Sequence, residues 1–169
     1  MAPDDIAGPS DGALGTGYLT SLYLHNALAT SSYRVNGHTV SLSDIHHPVF
    51  LVGTQRDHIS PWRSVYKLHH LCNSKITFVL TSGGHNAGII SEPRHSNRSY
   101  QMGTRLAHST WVEPDKWITN TPQSEGSWWP AWHRWLAARS SPRRTARKLS
   151  SKGALGSAPG AYVMERYDD

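Results

Sequence analysis

Two short apolar runs constrain this chain more than any other feature. Val49-Phe50-Leu51-Val52 and the run from Ile76 to Leu80 are rich in β-branched and aromatic residues, and neither alternates with polar residues. Strands of that kind are covered on both faces, as in a parallel sheet. Parallel neighbours need a crossover, and the intervening residues supply one. Ser60 is suited to cap a helix whose first residue is Pro61, and Val65, the aliphatic stem of Lys67, Leu68 and Leu71 form its packing surface. The pattern predicts a right-handed βαβ unit. At 169 residues the chain is long enough for one domain, or a piece of one.

Around this unit the signals are more varied. Residues 1–17 mix Pro, Asp, Gly and Ser and read as a disordered or non-native leader. Leu19, Leu22, Tyr23 and Asn26 recur at helical spacing, which predicts an amphipathic helix over Tyr18 to Ala29. Asn36-Gly37 between Tyr33-Arg34-Val35 and His38-Thr39-Val40 predicts a tight hairpin. Ser91 to Thr110 reads as irregular, and Trp111 to Asn120 as a short helix. The run WWPAWHRWLAAR predicts another helix with Pro130 in its first turn. There Trp128, Trp132 and Trp135 share a face, a stripe better read as packing than as a ligand site. The expected organisation is a leader at 1–17, an α/β body at 18–138 and a basic flexible linker and tail at 139–169.

Charge excludes some classes of function. The formal net charge is +5, but six of the 17 Lys and Arg lie between Arg139 and Lys152, a segment with no acidic residue. The remainder is close to neutral, so the basic character belongs to a tail, and no nucleic-acid partner is expected. One Cys excludes an intramolecular disulfide framework. There is neither an apolar stretch long enough for a membrane span nor a secretory signal pattern, so the expectation is a protein of the cytoplasm.

Chemistry is expected where the two strands end. The first runs into GTQRDHISPW, which places Asp57 past its C-terminal end, and the second into TSGGHNAGII, which places His85 past its own. Parallel strands lie about 4.8 Å apart, so a carboxylate and an imidazole at neighbouring C-terminal ends are within reach of a hydrogen bond. That pair is the orienting half of a nucleophile-His-Asp triad, and Asp before His is the order of the α/β-hydrolase fold. The other reading, a turn-forming Asp and a surface His, is equally open to the spacing. A nucleophile is harder to find. Gly8-Pro9-Ser10-Asp11-Gly12 matches G-x-S-x-G but follows no apolar strand, and Cys72 reads as a small buried hydrophobe. His46, His47, His69, His70 and Cys72 lack the spacing of a metal site, and no metal is expected.

Taken together, YLTSLYLHNAL, SLSDIHHPVFLVGTQRDHISPWRSVYKLH, ITFVLTSGGHNAGII, GSWWPAWHRWLAAR and APGAYV resemble the C-terminal part of poly(3-hydroxyalkanoate) synthases of the class I type, over about Tyr18 to Val163. The resemblance implies the C-terminal part of an α/β-hydrolase fold, with an incomplete parallel sheet and flanking helices. It also implies an acyltransferase that polymerises (R)-3-hydroxyacyl groups from coenzyme A thioesters at the surface of cytoplasmic storage granules, without a separate cofactor. By motif, Asp57 and His85 correspond to the family's catalytic Asp and His. The family's Cys stands on a G-x-C-x-G box, which these 169 residues do not contain. The expectations are therefore a segment inactive alone, or a granule- or partner-binding module with an unpaired strand edge, or a small esterase using Ser10.

Overall fold

The computed structural model describes residues 16–146 and 157–166; the expected leader and much of the expected tail lie outside them. A two-stranded hairpin comes first, β1 (Arg34–Val35) and β2 (His38–Thr39), antiparallel across the predicted Asn36-Gly37 turn. Both turn residues have positive φ, which Gly and Asn tolerate best. The main sheet holds β3 (Val49–Thr54), β4 (Ile76–Thr81), β5 (Ser99–Arg105) and β6 (Gln123–Glu125), in that spatial order. Its helices are α1 (Trp62–Tyr66), α2 (Leu68–Leu71), α3 (Pro114–Asn120) and α4 (Trp129–Ala137).

The expected βαβ unit is present. β3 and β4 pair in parallel from Val49 opposite Ile76 to Thr54 opposite Thr81. Burial then separates the two strands: every residue of β4 is buried, whereas Val49 to Val52 are half-buried. The reason is position, because β3 is paired on one side only and forms the sheet's edge among the described residues. The helix between them departs from expectation at its start. Pro61 is the residue before the first helical turn rather than within it, and Ser60 makes no cap; its backbone amide instead donates to the Asp57 carboxylate.

The sheet is mixed rather than all-parallel. β5 lies in a segment that reads as irregular, and it pairs antiparallel with both β4 and β6. Its sequence, Ser-Tyr-Gln-Met-Gly-Thr-Arg, has no apolar alternation, and its one buried residue, Gln101, is polar and hydrogen-bonded. Gln101 donates to the Ile118 carbonyl of α3 at 2.7 Å, and Thr104 bonds across to Thr77. Gly103 lies so close to α3 that a Cβ there would stand 2.8 Å from the Trp117 indole nitrogen.

Opposite faces of β4 feed two packing layers. Ile76, Phe78 and Leu80 join Trp62, Tyr66, Cys72 and Trp117 in a core under α1, α2 and α3, with Phe78 ringed by Trp62, Tyr66, His69 and Trp117. On the other face, α4 lays Trp128 and Trp135 against Phe50 of β3. The tryptophan stripe therefore packs at two of its three positions, while Trp132 remains part-exposed beside an apolar groove. A mixed sheet with helices on both faces is compatible with an α/β fold.

The predicted amphipathic helix takes another form. Leu19–Leu24 is a π-helical turn with no buried residue, and Leu19, Tyr23 and Leu24 are exposed. The apolar spacing is present, but no described element covers it.

Candidate functional site

The carboxyl ends of β3 and β4 are zipped together beyond the strands themselves. The Gln55 amide donates to the Thr81 carbonyl and the Arg56 amide to the Gly83 carbonyl, each at 2.9 Å. The two loops thus leave the sheet side by side. Gly83 turns its loop with a φ of +119°, a conformation few side chains tolerate. Gly88 then returns the loop against β3, so close that a Cβ there would lie 2.5 Å from Thr54 Cγ2.

The result is a bifurcated contact between the two expected residues. His85 Nδ1 lies 2.9 Å from one Asp57 carboxylate oxygen and 3.0 Å from the other. Asp57 is held from the opposite side as well: its Oδ1 accepts from the backbone amides of Ile59 (2.9 Å) and Ser60 (2.8 Å). The Ser60 amide, the His85 imidazole and the Ile59 amide all favour the ionised form and outweigh desolvation, so the carboxyl pKa falls to about 2. An ionised carboxylate only accepts, so the hydrogen between them belongs to Nδ1, and in the neutral ring Nε2 carries the lone pair. The exposures match that division. The Asp57 side chain is 7% exposed and the His85 ring 47%. A fixed, sheltered anion thus orients an imidazole whose ring stays open to solvent. His58, the neighbour of Asp57, is exposed and takes no part in this contact.

The remaining candidates lie elsewhere. Cys72 is buried at the end of α2, before β4 begins, with its sulfur 3.7 Å from the Ile45 carbonyl. A six-residue strand rising about 3.3 Å per residue separates it from His85 by roughly 20 Å, so it is no nucleophile for this imidazole. Ser10 lies outside the described residues. His69 is buried, bonds the Tyr66 carbonyl through Nδ1 and stacks on the Tyr66 ring, and burial lowers its proton affinity. His70 packs on Trp111. Among the described residues, no three His, Cys, Asp or Glu side chains converge on a metal position.

One part of the site escapes sequence reasoning. Ser127, Trp128 and Trp129, at the start of α4, donate to three carbonyls of the loop that carries His85. The Ser127 hydroxyl bonds the Ser91 carbonyl, Trp128 Nε1 the Gly88 carbonyl at 3.0 Å, and Trp129 Nε1 the Ile89 carbonyl at 2.9 Å. The available signal is chemical rather than periodic: an indole N–H is a donor in search of an acceptor, and a stripe analysis of the rings alone does not ask for one.

No family model matches the chain. Curated proteins do. The chain is 36% identical over 151 residues to the poly(3-hydroxyalkanoate) polymerase subunit PhaC of Rhizobium etli and 35% over 153 residues to that of Cupriavidus necator, in each case over 88% of its own length. It is 35% identical over 135 residues to poly(3-hydroxyalkanoate) polymerase 2 of Ectopseudomonas oleovorans. Over most of its length the chain is similar to poly(3-hydroxyalkanoate) polymerases. It spans about a quarter of the length of these relatives, 23% of the first and 25% of the second. Among the described residues, no helix is long and apolar enough to cross a membrane.

Proposed function

We propose that these residues form the C-terminal segment of a poly(3-hydroxyalkanoate) polymerase with an α/β-hydrolase catalytic domain, and that Asp57 and His85 are two members of its Cys-His-Asp triad. The thiol is supplied by polypeptide outside this sequence, so the segment by itself does not turn over. The observation that carries this reading is the two-oxygen grip of Asp57 on His85 Nδ1, with the imidazole open on its other side.

The chemistry follows from that tautomer. His85 Nε2 takes the proton of the Cys thiol, and the thiolate attacks the carbonyl carbon of an (R)-3-hydroxyacyl-coenzyme A thioester. The tetrahedral adduct collapses by breaking the bond to the coenzyme A sulfur, which leaves with the proton held by His85. The acyl group now resides on Cys. A chain-end hydroxyl then gives its proton to the same nitrogen and attacks the acyl-Cys carbonyl. An ester forms, and Cys recovers its proton as the carbon–sulfur bond breaks. Asp57 stabilises the imidazolium in both halves, so one hard exchange is divided into two easier ones. No metal or separate cofactor enters these steps. The granule surface, where polyester meets water, is the proposed location.

A chimera tests this, with residues 18–163 replacing the corresponding segment of the Rhizobium etli relative. We expect coenzyme A release from (R)-3-hydroxybutyryl-coenzyme A, reduced by several powers of ten in His85→Ala and strongly in Asp57→Asn. An active chimera whose rate survives His85→Ala overturns the assignment. Turnover by the isolated chain overturns the claim that its thiol comes from elsewhere. The half-buried edge of β3 supports a second proposal, a partner-binding role, because an edge with unpaired backbone groups favours strand addition.

A further inference from the structure

We propose that Trp129, together with Trp128 and Ser127, is a positioning residue for His85: the first turn of α4 clamps the His85 loop by its carbonyls and so sets the imidazole on Asp57. The inference rests on the reading of Asp57 and His85 as a working pair. Three consecutive residues donate from one helix start to carbonyls of Gly88, Ile89 and Ser91, all within six residues of His85. The loop has its own bonds, Gly88 amide to Gly84 carbonyl and Ile89 and Ile90 amides to the Asn86 carbonyl, which make it a compact turn. Those bonds shape the turn but do not fix where it sits. The Arg56 amide anchors the start of the loop through the Gly83 carbonyl, and the rest is placed by Gly88 seated on Thr54 from one side and by the indoles from the other.

Helix α4 is itself fixed from elsewhere. Trp128 and Trp135 pack on Phe50 of β3, the strand that leads to Asp57. One helix therefore references the histidine loop to the aspartate strand without touching either catalytic side chain. Another donor in the stripe serves as contrast: Trp135 Nε1 is buried with no hydrogen-bond partner among the described residues. The three bonds are thus specific to the helix start and not a general consequence of packing indoles.

The test reads the His85–Asp57 bond in the intact chain, by NMR of the His85 Nδ1 proton and its exchange with water. Wild type should show a downfield, slowly exchanging proton that Asp57→Asn abolishes. Trp129→Phe keeps a ring at a part-exposed position and removes the N–H. We expect it to melt cooperatively while the Nδ1 proton exchanges at least tenfold faster or is lost, with Trp132→Phe unchanged. Benzothienylalanine at position 129, which puts sulfur in place of the N–H at nearly constant shape, should reproduce the effect and decides the matter should the Phe variant fold poorly. A wild-type Nδ1 proton that stays slow in Trp129→Phe and in the sulfur analogue overturns the positioning role and leaves the pair intact. Equal loss in Trp129→Phe and Trp132→Phe also overturns it, since loosening of the helix then accounts for the result. Absence of the protected proton from wild type defeats the reading of the pair itself.

Discussion

Gly88→Ala asks whether the approach of the histidine loop to β3 is what brings His85 to Asp57. An added Cβ would lie 2.5 Å from Thr54 Cγ2, 2.8 Å from Thr54 Cβ and 3.1 Å from the Gly84 carbonyl oxygen. Carbon atoms pack at about 3.5–4.0 Å, so the loop must retreat by roughly 1 Å. Thr54 is fully buried in the sheet and has little freedom to yield. The His85 contacts stand at 2.9 and 3.0 Å, and a retreat of that size carries them past the distance at which a side-chain hydrogen bond survives. Overpacking of this kind costs about 1–3 kcal/mol of stability, and a misplacement of about 1 Å at a catalytic group costs on the order of 10²-fold in rate. Chemical denaturation and the His85 Nδ1 proton measure the two effects separately, and the chimera measures the rate. Thr54→Ser removes the nearer of the two clashing carbons, so the double variant should recover part of the loss, with a coupling of about 0.5–3 kcal/mol. Gly88→Ala with wild-type stability and an intact Nδ1 proton would refute the close-approach argument.

Three further outcomes follow from the same geometry. Because the Asp57 carboxyl is depressed from 3.8 to about 2, its stabilising contribution is present above about 3.8 and is lost as pH falls through about 2. The acid limb of the melting temperature in that window should therefore flatten in Asp57→Asn, and an unchanged limb would count against the contact. Phe78→Ala empties the most enclosed aromatic position of the core and should lower the unfolding free energy by about 3–5 kcal/mol in urea titration; a loss under about 1 kcal/mol would contradict the packing described. Through the open edge of β3 the chain should self-associate with rising concentration, and a monodisperse monomer by light scattering with a cooperative melt argues against a sticky edge.

The legible parts of this structure are those written in short-range chemistry. Val49 to Val52 and Ile76 to Leu80 announce buried neighbouring strands, and Asn36-Gly37 announces its turn, because β-branched bulk and permitted φ are properties of the residues themselves. Asp57 and His85 are legible as a pair for the same reason, since strand ends place them. β5 is not legible: Gln101 is buried through its bond to the Ile118 carbonyl, and Thr104 bonds to buried Thr77, partners supplied only by the assembled sheet. Nor is the edge position of β3, whose composition is that of a strand covered on both faces. The clamp from Ser127, Trp128 and Trp129 is hidden by distance, because its acceptors lie 36 to 40 residues upstream. Ser60 shows the opposite failure: a good local cap signal goes unused because the helix begins at Trp62 with Pro61 in the cap position, one residue past Ser60.

The Ser60 amide nevertheless serves the site, through its bond to the Asp57 carboxylate. Asp57 and His85 are 28 residues apart, and every bond that fixes them comes from their own loops, the two strands beneath and the start of α4. None comes from a nucleophile. An Asp57 carboxylate with several donors is stabilised whether or not a thiol stands on the far side of the imidazole, so under the proposed reading the Asp57–His85 contact needs no thiol to hold it. Such an arrangement is electrostatic preorganisation, since dipoles already in place need no rearrangement when charge develops on the ring. A thiol brought to the rim would meet an imidazole already holding its Nδ1 proton against Asp57, with Nε2 left to act as base.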